Sequence, residues 1–252
     1  MSWIRVVKPS AGLAALMIAC LAGAAGAETL VVRSAGPSAK SYPPGKAIPD
    51  AARIVLQAND QVVVLDGRGT RTLRGPGTFS PVAASGSAAD TRSTLSSLVA
   101  QRSDRRARIG AVRSMSAGPP RSPNIWFVDI DRSTTVCVAD PAAVTMWRAG
   151  VPKPAKVTVT SSPSGTSETL AWAKDAPTAP WPASMPISNG AQYSISVPGA
   201  AQPTSVRFVV LGAGLQGLED LASVLIKNGC TAQLDLLIET VAIPEPTAAA
   251  GG

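Results

Sequence analysis

Three glycines, Gly212, Gly214 and Gly217, stand at G-x-G-x-x-G spacing in SVRFVVLGAGLQGLEDLASVLIKNG, behind an apolar run and ahead of a helical pattern. Glu239 follows 22 positions after Gly217. In a dinucleotide-binding βαβ unit, that spacing brings backbone amides against a pyrophosphate at a helix N-terminus, and the acid holds a ribose hydroxyl. The surroundings argue against it here. Only 35 residues follow Gly217 in a chain of 252, too few for a doubly wound sheet, and the strands upstream lack alternating helices. The segment reads instead as a strand, a glycine loop, and a helix from Leu218 to Lys227 closed by Asn228-Gly229. A second short helix runs from Cys230 to Val241, and no cofactor is expected.

A second glycine-rich stretch, LDGRGTRTLRGPGTF from Leu65 to Phe79, raises the question of a phosphate or a nucleic acid. It lacks the Gly-Lys-Ser/Thr ending of a phosphate loop. It also lacks the repetition of an RGG segment, so its glycines read as turns. Asp66-Gly67 joins VVVL to TRTL as a hairpin, and Gly75-Pro76-Gly77 marks the turn after it.

Histidine is absent from the chain. That removes Ser-His-Asp and Cys-His catalysis, histidine-bound zinc or copper, and the usual proton carrier near neutral pH. Paired carboxylates, a serine-lysine dyad or carboxylate-bound calcium remain, and none has a recognisable spacing. Asp129 and Asp131 in DID lack the further ligands of a calcium loop and read as turn formers. No catalytic, cofactor-binding or metal-binding residue is assigned, and the chain is not expected to be an enzyme.

The N-terminus sets the compartment. Arg5 and Lys8 precede the apolar run AGLAALMIACLAGAAG, and AGA before Glu28 supplies small residues for cleavage after Ala27. The run falls short of the roughly 20 strongly apolar residues that a membrane-spanning helix needs. Export to the periplasm is the expectation. Acylation at Cys20, with anchoring to lipid, is the alternative, and an uncleaved anchor is the third possibility.

Cleavage leaves two cysteines, Cys137 and Cys230, 93 positions apart. In an oxidising compartment they are expected to form a disulfide, worth about 4 to 5 kcal/mol on a chain-entropy model. Two separate buried thiols are the alternative. Two cysteines without histidine supply too few soft ligands for a metal.

The net charge of +7 falls to +5 when Arg5 and Lys8 leave. From Arg92 to Arg121 there are seven arginines and a single acid, Asp104. Arg102, Arg105, Arg106, Arg108 and Arg113 are the candidate partner-binding residues, toward an envelope protein or an anionic surface such as lipid headgroups. An exported protein rarely meets nucleic acid. The plainer reading is a solvated helix face.

These residues need elements to hold them. ARIVLQANDQVVVLD has apolar runs broken by an Asn-Asp turn, and the hairpin described above follows. LQANDQVVVLDGRGTRTLRGPGTF resembles the FecR-type periplasmic domain through Asn59, Asp60, Val62, Val64, Leu65, Asp66, Gly67, Thr70 and Leu73. The resemblance covers about residues 29–82 and implies a small β-rich module for signal relay or envelope contact. It departs from anti-sigma regulators of that family, which carry a cytoplasmic domain before a membrane helix. The whole chain also resembles uncharacterised exported bacterial proteins.

Residues 84–123 read as a linker holding a basic amphipathic helix capped by Asp90, and Pro119, Pro120 and Pro123 end it. From Asn124 on, short strands recur. NIWFVDI and TTVCVAD read as a hairpin around Asp131 to Ser133, and VTMWR, KVTVT, TLAWA, YSISV and SVRFVVL follow. Trp126, Trp147, Trp172 and Trp181 fall here and read as core rather than as a ligand groove.

The expected fold class is mainly β (α+β). It comprises a leader at 1–27, a FecR-like β module at 28–83, the basic linker at 84–123, a β-sandwich-like domain at 124–242 ending in one or two helices, and a disordered tail at 243–252. The expected function is an exported, non-enzymatic interaction or sensing module. The alternatives are an envelope hydrolase using carboxylates and, least favoured, an oxidoreductase built on Gly212, Gly214 and Gly217.

Overall fold

The computed structural model describes residues 28–82, 121–149, 155–212, 214–215 and 217–243. Residues 1–27 with the expected leader and Cys20, the residues from 83 to 120 with Arg102, Arg105, Arg106, Arg108 and Arg113, and the tail beyond Ile243 lie outside the described residues. The molecule is mainly β, with two helices at the end of the described chain.

Six strands form the first region: β1 (Glu28–Ala35), β2 (Ala47–Pro49), β3 (Ile54–Leu56), β4 (Gln61–Asp66), β5 (Gly69–Arg74) and β6 (Gly77–Phe79). An antiparallel sheet runs β2-β1-β4-β5, and β3 pairs with β6 in a separate ribbon. Central β4 reads QVVVLD without alternation because both its faces are buried. Val62 and Val64 join Val31, Ile48, Ile54, Leu56 and Leu73 on one side. Val63 and Leu65 join Leu30 and Val32 on the other.

The turns follow local chemistry. Gly67 and Arg68 form the tip of the β4–β5 hairpin, where the Asp66 carboxylate accepts a hydrogen bond from the Arg68 amide at 2.9 Å. Asn59 takes a left-handed conformation (φ 67°). The buried Asp60 beside it accepts hydrogen bonds from the amides of Ser38 and Gln57. Gly36 permits this approach, since a Cβ there would lie 2.5 Å from Asp60 Oδ1. Burial works to raise the Asp60 carboxyl, but the hydrogen bonds from Ser38 and Gln57 prevail and hold it below its ordinary value.

The second region holds β7 (Phe127–Asp129), β8 (Thr134–Val138), β9 (Thr145–Trp147), β10 (Ala155–Ser161), β11 (Ser167–Trp172), β12 (Thr178–Pro180), β13 (Gln192–Ser196) and β14 (Thr204–Val210). A five-stranded sheet runs β11-β10-β13-β14-β8, and a three-stranded sheet runs β12-β9-β7. They share a core that includes Val128, Met146, Val159, Ile195 and Phe208. Trp147 and Trp172 are buried. Trp181, half-buried, meets Tyr193 and Phe208 edge-on with both centroids at 5.0 Å.

The hairpin expected around Asp131 to Ser133 does not form. β7 pairs in parallel with β9, and β8 pairs in parallel with β14 in the other sheet. Val128 and Ile130 on one side of the bend, and Val136 and Val138 on the other, enter the same core from different layers. A hairpin within one sheet would have left that core without one of its walls.

Two helices close the fold: α1 (Leu218–Lys227) and α2 (Thr231–Thr240). They match the boundaries expected from the sequence to within a residue. Gly229, at φ 69°, turns the chain between them. Leu218, Leu221, Ala222 and Leu225 form one stripe at i, i+3, i+4, i+7 that packs with Leu30, Val32, Val63 and Leu65 of the first region. Each leucine so buried contributes about 1.5 to 3 kcal/mol. Leu234, Leu237 and Ile238 of α2 enter the same cluster, so the two helices bridge the regions.

After α2 the chain reaches the edge of β5. Thr70 N donates to Val241 O and Ile243 N donates to Thr70 O, both at 2.9 Å, while Thr70 Oγ1 donates to Ile238 O at 2.8 Å. Gly69 makes this approach possible. Its φ is 139°, and a Cβ there would fall 2.2 Å from Val241 O.

Candidate functional site

The most developed site among the described residues lies where α2 begins beside β8. β8 is an edge strand, joined to β14 by a parallel ladder that pairs Val206 with Thr134, Phe208 with Val136 and Val210 with Val138. Successive residues of such a strand direct their N–H and C=O groups to alternate sides. Val138 faces β14, as the bond from Leu211 N to Val138 O at 2.8 Å shows. Thr135 and Cys137 therefore present their backbone groups to the outside.

At Cys137 the outside is closed by one side chain. Cys137 N donates to Gln233 Oε1 at 2.7 Å, and Gln233 Nε2 donates to Cys137 O and to Ile125 O, both at 2.8 Å. Gln233 is buried in the first turn of α2. Its position is secured by the neighbouring Cys137–Cys230 pair, at disulfide distance with Cα atoms 5.9 Å apart. The cysteine pairing expected from the sequence thus holds the start of the helix against the sheet edge.

Past Gln233 the edge opens into a cleft of about 290 Å³. Ser122, Thr134, Thr135 and Thr231 line it, and Arg121, Asp129, Arg132 and Asp235 bring charge. Each charge has a partner. Arg132 lies 3.6 Å from Asp129, Asp235 pairs with Arg33 of β1, and Arg121 pairs with Glu239. Burial raises the Asp129 carboxyl above its ordinary value and the nearby Asp131 carboxylate adds to this, while the Asp131 amide and Arg132 act the other way.

Asp129 and Asp131 do hold turns. Asp129 Oδ1 accepts from Asp131 N and Asp131 Oδ2 accepts from Ala149 N, each at 3.0 Å. Asp129 also faces the cleft, which its sequence context does not reveal. Nor does sequence spacing reveal Thr135 or Gln233. The available signal was a polar residue on the buried face of α2, four positions before Leu237.

The glycine motif is placed differently from a nucleotide site. Gly212 and Gly214 follow β14, and Gly217 precedes α1. The segment that would supply the second strand of a βαβ unit is α2, and Glu239 on it reaches Arg121. Among the described residues, no cluster of three or more Cys, Asp and Glu side chains could hold a metal ion, and no helix is long and apolar enough to cross a membrane.

Comparison with protein-family models, curated proteins and solved structures gave no match to this chain.

Proposed function

We propose that this chain is an exported envelope protein that works by surface contact, as an interaction or signal-sensing module, with the β8 cleft as its contact surface. One observation carries the reading: an open strand edge is surrounded by ion pairs that already neutralise one another. Such a surface suits recognition by hydrogen bonding better than proton transfer. The apolar leader and the cysteine pair at disulfide distance support a periplasmic setting. The FecR-like N-terminal segment supplies the scaffold in this reading, and Arg102, Arg105, Arg106, Arg108 and Arg113 supply a second contact toward an acidic partner or peripheral membrane surface.

Crosslinking in intact envelopes tests it, comparing wild type with Thr135→Arg and with a variant carrying Arg102, Arg105, Arg106 and Arg108 changed to Gln. The expected result is an adduct on wild type that Thr135→Arg removes. Identical adducts on both proteins would discard the cleft as a contact surface. Equal recovery from the glutamine variant would make the arginines solvated surface only.

A carboxylate-dependent envelope hydrolase is the second reading, favoured by the raised Asp129 carboxyl in the cleft. It requires Asp129→Asn to abolish hydrolysis of a cell-wall glycan or ester, and a substrate turned over equally by that variant would end it.

A further inference from the structure

Building on the reading of the β8 cleft as a contact surface, the geometry points to its occupant: an extended, uncharged peptide segment of a partner protein that adds to the edge of β8 at Thr135. The protein already carries an example of the required contact. At Cys137 the Gln233 carboxamide accepts from the strand's N–H and donates to its C=O, as a peptide unit of an adjacent strand does. The next outward-facing position on β8 is Thr135, about 6.6 Å along the strand, and it lies in the cleft. There, among the described residues, the Thr135 carbonyl accepts only from the neighbouring Thr134 hydroxyl, at 3.2 Å, and no group accepts from the Thr135 N–H.

An N–H and a C=O on the same side of one residue, at ladder spacing, match the donor and acceptor of an extended backbone. Edge strands are commonly protected by proline, by charge or by a covering segment. Here Gln233 covers the Cys137 position, and among the described residues the Thr135 position is left open.

The charge pattern selects against ionised side chains in the occupant. Arg132 is matched by Asp129, Asp235 by Arg33, and Arg121 by Glu239. A charged side chain would have to break one of these pairs, whereas a neutral one leaves all three intact.

The test uses a phage-displayed library of random eight-residue peptides selected on the full-length protein. A selected peptide is then measured by fluorescence anisotropy against wild type, Thr135→Val and Thr135→Pro. Proline at this outward-facing position removes the N–H without removing a bond to β14. The expected result is selection of uncharged peptides, near-equal binding by Thr135→Val, and about tenfold weaker binding by Thr135→Pro.

Two measurements on the wild-type protein guard against a folding defect in the proline variant. N-methylation of the peptide at the residue that pairs with Thr135 weakens binding, and the peptide slows hydrogen exchange of the Thr135 amide. Binding indifferent to N-methylation, or a library that yields nothing while Thr135→Arg still abolishes envelope crosslinking, would overturn strand addition and leave the contact surface standing. Crosslinking untouched by Thr135→Arg would remove the surface itself.

Discussion

Two sheet edges in this protein, β5 and β8, are both closed by α2 and its continuation, yet in different ways. At β5 the chain after the helix supplies backbone: Thr70 exchanges hydrogen bonds with Val241 and Ile243. At β8 the start of the helix supplies one amide side chain, Gln233, and among the described residues the strand remains open beyond it. Backbone closure extends as far as the chain runs alongside, whereas side-chain closure covers a single ladder position. The difference closes one edge with backbone and leaves the other, among the described residues, covered at Cys137 alone.

The comparison breaks most completely where the start of α2 is fastened. Replacing Cys137 and Cys230 together by alanine is expected to cost about 4 kcal/mol, read as a lower urea midpoint than that of the oxidised wild type. An unchanged midpoint would mean that packing and Gln233 hold the helix unaided.

Next comes Gln233→Leu, which keeps the helix but leaves the Cys137 N–H and C=O and the Ile125 C=O without their partner. Each buried polar group abandoned costs about 1 to 3 kcal/mol, and water from the cleft recovers part of the total, so a net loss of about 3 kcal/mol is expected in the same assay. A neutral substitution would show that the β8 edge needs no closure at Cys137.

Gly69→Ala sharpens the contrast from the other edge. A positive φ and the collision with Val241 O predict a loss of about 2 kcal/mol, with faster hydrogen exchange at Thr70 and Ile243. Peptide binding at Thr135 is expected to persist. Loss of both together would show that the two edges are not independent.

The smallest effects are pH-dependent and opposite in sign. The folded state holds Asp60 below its reference value of 3.8. Its stabilising contribution is therefore present above that value and is lost as pH falls through the folded value. Asp129 is raised above the same reference, so its contribution is present below 3.8 and is lost as pH rises through the folded value. Melting curves from about pH 7 down to about pH 3 are expected to show Asp129→Asn more stable than wild type at neutral pH, with the gap closing in acid, and Asp60→Asn less stable at neutral pH, its deficit shrinking in acid. Parallel curves for the two variants would reject the assignment.

Much of the local structure was legible in the sequence. The Asn59 turn, the Asp66-Gly67 hairpin and the two helices around Gly229 depend on the conformational freedom of one or two residues, or on apolar spacing within a few turns. The partners of β7 and β8 were not legible. Adjacent strands joined by a short bend suit a hairpin equally well, and the choice lay with the core that Val128, Ile130, Val136 and Val138 enter from two layers.

By itself the sequence determined the mainly β class, the closing helices, the absence of any imidazole and the availability of two cysteines for one crosslink. Tertiary structure alone decided that the helices would join the two regions, that β8 would become an edge among the described strands, and that Gln233 would meet Cys137 and not Thr135. Turn and helix signals lie in neighbouring residues. An edge exists only once every other strand has taken its partner, and that is settled by burial across the whole chain.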